Sequence, residues 1–219
     1  VLLIDLDLNS CGDVQQLLGL REVKSLVEIA PYVDRLDPNL LRGFITPHQS
    51  GLGVMQLYRD KADLAKINAE LFEKVLDLLS RIFDFIVIDG GAVLNNTLVK
   101  GLERSSIIFL LTTPDLMVLN QTRIMVDELQ RLHFPKEMLK VILNAYEPRS
   151  VISLEMVTQK RQRQILTTVV RDDALVRQAA ISAAPFVLSQ PRRMLTRTYD
   201  AFVRNLLERR ILDRLAVLQ

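Results

Sequence analysis

Two short apolar runs in this chain each end on aspartate. They are Val1-Leu2-Leu3-Ile4-Asp5-Leu6-Asp7 and Phe83-Asp84-Phe85-Ile86-Val87-Ile88-Asp89. A carboxylate at the end of a buried strand can hold Mg2+ through water or position an attacking water. Asp5 and Asp7 are two residues apart, so on a strand their side chains share one side. Gly90-Gly91, directly after Asp89, allows close backbone approach to a ligand. Asn144 follows the apolar run Val141-Ile142-Leu143, and its amide can read a purine edge by donating and accepting in one plane. Each feature also has a structural reading. One acid of the Asp5–Asp7 pair can cap the following turn while the other is solvated, and for the pair alone the two readings are about even. The glycines make a tight turn, and Asn144 makes an Asx-turn, which is favoured for Asn144 taken alone.

Other chemistries find less support. His48 and His133 have no partner acids at a readable spacing, and His133 falls near a helix end, where it can meet the last carbonyls. Cys11 lies in a loop with no evident base. No G-x-S-x-G elbow is present. A single cysteine and two histidines exclude a disulfide framework and a cysteine- or histidine-built zinc centre.

The elements that must hold these residues alternate between strand and helix. Residues 1–7, 51–57, 83–88, 106–112, 139–143 and 165–170 read as strands. The clearest helix covers 68–82, where Ile67, Leu71, Val75, Leu78, Leu79 and Ile82 form one apolar stripe. Short helical segments cover 15–20 and 24–29, and 31–53 is rich in turn residues. Asp115 opens a helix to about Leu132, residues 153–164 are helical, and Asp172 or Asp173 caps a helix through Ala180. Pro185 and Pro191 interrupt the chain before a final helix over 196–218. This order predicts an α/β fold, a three-layer α/β/α arrangement around a mostly parallel sheet, in a single domain over 1–219.

Hydrophobic residues make up 49% and charged residues 25%, the balance of a globular protein, and the formal net charge is +2. That charge implies no strong nucleic-acid or membrane field, although the arginines concentrate after residue 148. No apolar run approaches the ~20 residues of a membrane span, and acids follow Ile4 at once, which argues against a signal peptide. The expected compartment is the prokaryotic cytoplasm.

Taken together and in order, five segments resemble the MinD/ParA group of P-loop ATPases with a deviant Walker A loop. VLLIDLDLNSCGDVQQLLGL looks like the second strand and switch I. FDFIVIDGGA looks like the Walker B strand and switch II, its hhhhD pattern ending on Asp89. SIIFLLTTPDLMVLNQTRIMVDEL looks like the next strand and helix, and VILNAYEP like the strand that ends in an adenine-side asparagine. TTVVRDDALVRQAAISAAPFV resembles the segment that packs over the base. Within the group, Gly12-Asp13-Val14 and the stretch from Pro185 to Leu195 look most like the CpaE/TadZ branch, which helps place and assemble Flp/Tad pili.

The resemblance implies ATP and Mg2+ as cofactors and a homodimer that closes on nucleotide and opens on hydrolysis. Asp7 would be the switch I acid that orients water and contacts Mg2+, with Asp5 supporting it. Asp89 would be the Walker B acid. Gly90, Asn144 and Asp172 would contact the nucleotide. The partners implied are pilus or secretion machinery, at the inner membrane or a cell pole. A basic terminal helix around Leu207, Ile211, Leu215 and Leu218 can touch an anionic membrane, but packing on the sheet is favoured. Three features depart from the group. The glycine-rich phosphate loop is absent from the sequence, and in the group it lies immediately upstream of what is Val1 here. The expectation is therefore a piece of a longer gene product, inactive without that loop. Gly90-Gly91-Ala92 replaces Thr-Pro-Pro or Ser-Pro-Ala, and Arg171 stands where proline or asparagine is usual. Two rival readings remain: a scaffold of the same fold that dimerises without nucleotide, and a DNA-segregation ATPase.

Overall fold

The computed structural model describes residues 1–148 and 165–208. The expected helix over 153–164 and the last part of the expected terminal helix lie outside the described residues. The chain forms two compact units. One comprises Val1–Arg104 with Ala180–Pro185, and the other is built on 105–148, 165–179 and 186–208.

In the first unit, β1 (Leu2–Asp5) leads through Gly12 into a short helix, α1 (Asp13–Leu17). Two 3-10 turns follow, and then α2 (Pro38–Arg42), β2 (Thr46–Pro47) and β3 (Gly53–Gln56). Next come α3 (Ala69–Leu79), β4 (Ile86–Asp89) and α4 (Asn96–Glu103). The strands form a four-stranded sheet in the order β2-β3-β1-β4. β1 pairs parallel with both β3 and β4, while β2 runs antiparallel to β3. The expected first strand is shorter than its apolar run. It stops at Asp5, so Asp7 lies beyond it and the period-two argument does not reach Asp7.

The core of this unit forms where the inner face of α3 meets the sheet. Asn68 caps α3 by accepting from the Leu71 N–H at 2.8 Å. Leu71, Phe72, Val75, Leu76 and Leu79 of this helix are buried with Leu2, Ile4 and Leu26. Phe72 and Leu76 widen the stripe read from the sequence. The α2 helix falls inside the stretch read as turns. Its signal is Asp37, whose carboxylate accepts from the Asn39 and Leu40 N–H groups, with Pro38 as the first helical residue.

In the second unit, β5 (Ile108–Thr112), α5 (Leu116–Arg131), β6 (Leu139–Tyr146) and β7 (Ile165–Val170) precede α6 (Asp173–Ser182), α7 (Phe186–Ser189) and α8 (Met194–Glu208). The strands form a three-stranded parallel sheet in the order β5-β6-β7. Asp115 caps α5 by accepting from the Met117 and Val118 N–H groups. Ile142, Val169, Leu175 and Leu195 form the buried centre, with Phe109 edge-on to Phe202 at 5.6 Å. The parallel α/β class is as expected, with the strands divided between two sheets. Among the described residues no helix is long and apolar enough to cross a membrane.

Phe72 is 1% exposed, and an added Cβ on Gly101 of α4 would lie 3.2 Å from its ring. Phe72→Ala should therefore empty the α3–α4 contact and lower stability by about 3–5 kcal/mol, read as a shift in the urea midpoint.

Candidate functional site

The site begins at the carboxyl edge of the first sheet, where open α/β sheets bind ligands. Strand register sets Asp5 beside Gln56 of β3 on one side and Asp89 of β4 on the other. The ladder continues past β1: the Leu57 N–H donates to the Asp5 carbonyl at 2.7 Å, and the Leu6 N–H to the Asp89 carbonyl at 2.8 Å. Asp5 is 5% exposed, and its carboxylate accepts from the Asp7 N–H at 3.0 Å. Asp7 is half-buried. Its Oδ1 accepts from the Asn9 N–H at 2.9 Å and its Oδ2 from the Ser10 hydroxyl at 2.7 Å. The Asp89 side chain is exposed, and its Oδ1 accepts from the Gly91 N–H at 3.2 Å.

Burial pushes the Asp5 carboxyl up to about 6. The hydrogen bond from Asp7 opposes that shift, while the negative charges of Asp89, Asp7 and Asp13 add to it. The same edge raises the Cys11 thiol, first by burial and then by the charges of Asp5 and Asp7. Cys11 donates to the Leu8 carbonyl at 3.3 Å, as suits a protonated thiol rather than a nucleophile.

The glycines after Asp89 are packed against the protein itself. A Cβ on Gly90 would meet the Leu98 side chain at 2.6 Å, and one on Gly91 would meet the Asp7 carboxylate at 2.5 Å. Of the histidines, His48 is buried against the Ser50 hydroxyl at 2.8 Å, and its Nε2 has no partner among the described residues. His133 has a φ of 67° just past α5 and donates its backbone N–H to the Gln130 carbonyl, the left-handed residue that ends a helix.

Asn144 and Asp172 belong to the second unit. β6 runs on through Asn144 to Tyr146 instead of ending there. The β6–β7 register slips twice. β7 advances two residues while β6 advances from Val141 to Ile142, and β6 advances three between Leu143 and Tyr146 while β7 advances two. The second slip is a bulge at Asn144-Ala145, and Ala145 has a φ of 51°, an uncommon conformation for a residue with a side chain. Asp172 caps α6, accepting from the Leu175 N–H at 3.1 Å, and pairs with Arg193 at 2.7 Å. Arg171 forks onto Asp173 and reaches Glu147 at 3.1 Å. Those carboxylates raise Arg171, and Arg171 in turn holds Asp173 low.

Sequence reasoning missed three residues at this edge. Gln56 is buried beside Asp5 and donates to the Val23 carbonyl at 3.2 Å, and its signal is a polar end to an apolar strand. Asn9 and Ser10 hold the Asp7 carboxylate, and neither announces that role in the sequence.

The carboxylates are hard oxygen donors suited to Mg2+. Among the described residues no three acids, imidazoles or thiols converge closely enough to ligate one ion.

Comparisons with known proteins bear on the fold. No protein-family model matches the sequence, and no curated protein matches it. Solved structures do match. A ParA family ATPase from Chlorobium tepidum is 22% identical with a TM-score of 0.84, over 92% of this chain and 85% of that one. The MinC:MinD cell division complex of Aquifex aeolicus is 16% identical with a TM-score of 0.77, over 94% and 83%. A Pyrococcus horikoshii MinD complexed with Mg-ADP is 19% identical with a TM-score of 0.76, over 94% and 82%. The fold is thus the α/β arrangement shared by ParA- and MinD-type ATPases.

Two predictions follow from this geometry. Because the folded-state pKa of Asp5 lies above its ordinary 3.8, ionised Asp5 opposes folding above pH ~6, and the penalty fades as pH falls through 6 towards 4. Asp5→Asn keeps an acceptor for the Asp7 N–H. At about 1.4 kcal/mol per pH unit it should add about 2–3 kcal/mol at pH 8 and almost nothing at pH 4, measured by urea titration at both values. Ala145→Gly removes a left-handed side chain that costs roughly 1–2 kcal/mol and adds a chain-entropy cost of about 0.5–1 kcal/mol. A net gain of about 0.5 kcal/mol is expected, where Ala→Gly in a regular strand destabilises.

Proposed function

We propose that this chain is the core of a nucleotide-dependent switch of the ParA/MinD type. In this reading ATP and Mg2+ draw two copies into a dimer and hydrolysis releases them. The observation that carries it is the register of Asp5 against Asp89 with Asp7 just beyond, at the carboxyl edge of a fold shared with ATPases. The Mg-ADP held by the similar Pyrococcus MinD supports these cofactors.

Bound Mg2+ would supply charge neutralisation on the transferred phosphate. Asp89, exposed at the end of β4, would face its water shell. Asp7 would orient the attacking water, with its carboxylate fixed by Asn9 and Ser10. Asp5 would hold the Asp7 backbone in place through the bond to its N–H. Gly90 would offer its backbone at the turn. In the second unit, Asn144 on its bulge and the segment opened by Asp172 are the parts that the resemblance assigns to the base. Asp172 spends its carboxylate on Arg193 and the α6 cap, so its backbone is the part open to a ligand. The 219 residues contain no K-G-G-x-G-K-[ST] phosphate loop. β4 is the outer strand of its sheet among the described residues, so its second edge, beside Asp89, is one that a strand bearing a phosphate cradle could pair with.

The output of the switch would be the positioning of a cellular machine. The stretches Gly12-Asp13-Val14 and Pro185 to Leu195 support a pilus or secretion apparatus of the CpaE/TadZ kind. The MinC:MinD complex among the similar structures supports recruitment of a partner protein.

The test uses the protein expressed from its complete reading frame. Fluorescent ATP should bind with Mg2+, and sedimentation should show a dimer that depends on nucleotide. Asp7→Ala should keep ATP affinity and slow phosphate release about 100-fold. Dimerisation without nucleotide binding would favour the scaffold reading. Salt-sensitive DNA retention driven by ATP would favour DNA segregation.

A further inference from the structure

The turn after Asp89 differs from the proline-containing pattern that the resemblance leads one to expect, and its geometry gives the difference a purpose. Gly91 has a φ of +63°. Its Cα lies flat against the Asp7 carboxylate: a Cβ built there would meet Asp7 Cγ at 2.5 Å, Oδ1 at 2.6 Å and Oδ2 at 2.9 Å. Its N–H donates to Asp89 Oδ1 at 3.2 Å. One residue therefore touches both acids, by its amide on one side and its bare Cα on the other. Asp7 has little room to retreat, because Asn9 and Ser10 already hold its two oxygens. Gly90 beside it is also close to a neighbour, since a Cβ built there would meet the Leu98 side chain at 2.6 Å.

We propose that Gly91 is a positioning residue that sets the distance between Asp7 and Asp89. No side chain larger than hydrogen fits between the turn and the Asp7 carboxylate. A Cβ at position 91 would force that carboxylate or the turn to shift, at the expense of its bonds to Asn9 and Ser10. The consequence for turnover rests on the ATP-switch reading, whereas the steric coupling of residues 7 and 91 does not.

A double-substitution cycle separates the two. Gly91→Ala, Asp7→Ala and the pair are compared by urea midpoint, Kd for ATP and rate of phosphate release. Asp7→Ala empties the space that the new Cβ needs. The urea midpoint should therefore fall with Gly91→Ala in the natural background and fall much less in the Asp7→Ala background. The backbone cost of a left-handed alanine is the same in both and cancels. Gly91→Asn serves as a second variant, because asparagine tolerates the left-handed conformation while still carrying a Cβ. If Gly91→Ala folds only when Asp7 is alanine, the coupling is shown in its strongest form.

Phosphate release should slow about 10- to 100-fold with Gly91→Ala while Kd for ATP changes less than threefold, since a shift of about 1 Å in a reacting group can cost that much. In the Asp7→Ala background the same change should leave the residual rate within twofold. Equal losses of midpoint in both backgrounds would overturn the proposal, as would a rate effect that persists without Asp7. A protein that binds no ATP but shows the midpoint coupling would sink the switch reading and keep Gly91 as the spacer of the two acids.

Discussion

The candidate site depends on a strand of four residues that is hydrogen-bonded on both sides. β1 lies between β3 and β4, and its Leu2 and Ile4 are almost fully buried. Parallel pairing on both flanks fixes its end against the ends of two neighbours, so Gln56, Asp5 and Asp89 arrive at one edge together. The same burial that fixes Asp5 also opposes its charge. A carboxylate is held where folding would rather have a neutral group, near three further acids whose charges make matters worse. Local strain of this electrostatic kind is common at functional sites, where neighbouring charges are arranged for a ligand and not for stability.

The fold likeness and the site contribute different things. At 16–22% identity, the similar ParA and MinD structures speak for the chain's path and not for its chemistry. Chemistry has to be argued from individual side chains, and those at the two sheets differ in character. At the first sheet the acids are crowded and their oxygens engaged by local donors. At the second, Arg171 and Arg193 are shared among Asp173, Glu147 and Asp172 in ion pairs, two cations against three anions.

Much of the fold was legible in the sequence. Period-3.6 patterning located α3, and the apolar runs located β3 to β7. The limits were physical. Apolar runs show where a strand can form, but pairing decides where it stops, so β1 ended before Asp7. Phe72 and Leu76 were missed because a helix under a sheet buries a wider stripe than a single i, i+4 row. The α2 helix hid among prolines that also mark turns. Around the site, Asp5, Asp7 and Asp89 could be named from the ends of strands. What fills the space above Gly90 and Gly91 could not, because Leu98 and Asp7 reach them only after folding. The left-handed Ala145 gave no signal at all, since alanine has no preference for that conformation.

The two slips between β6 and β7 cancel. From Val141 to Tyr146 and from Ile165 to Val170 the chain takes the same number of steps, yet the pairs between them are offset. The ladder behaves like a splice with one extra link inserted on each side, and both ends stay aligned. Deleting either extra link alone, Leu166 or Ala145, would remove one slip and leave every other pair as it is. Paired deletions, at Leu166 and at Ala145, would restore a plain ladder and leave the loops beyond it where they are. Each strand thus carries one residue that the ladder does not use, and the two can be lost independently of each other.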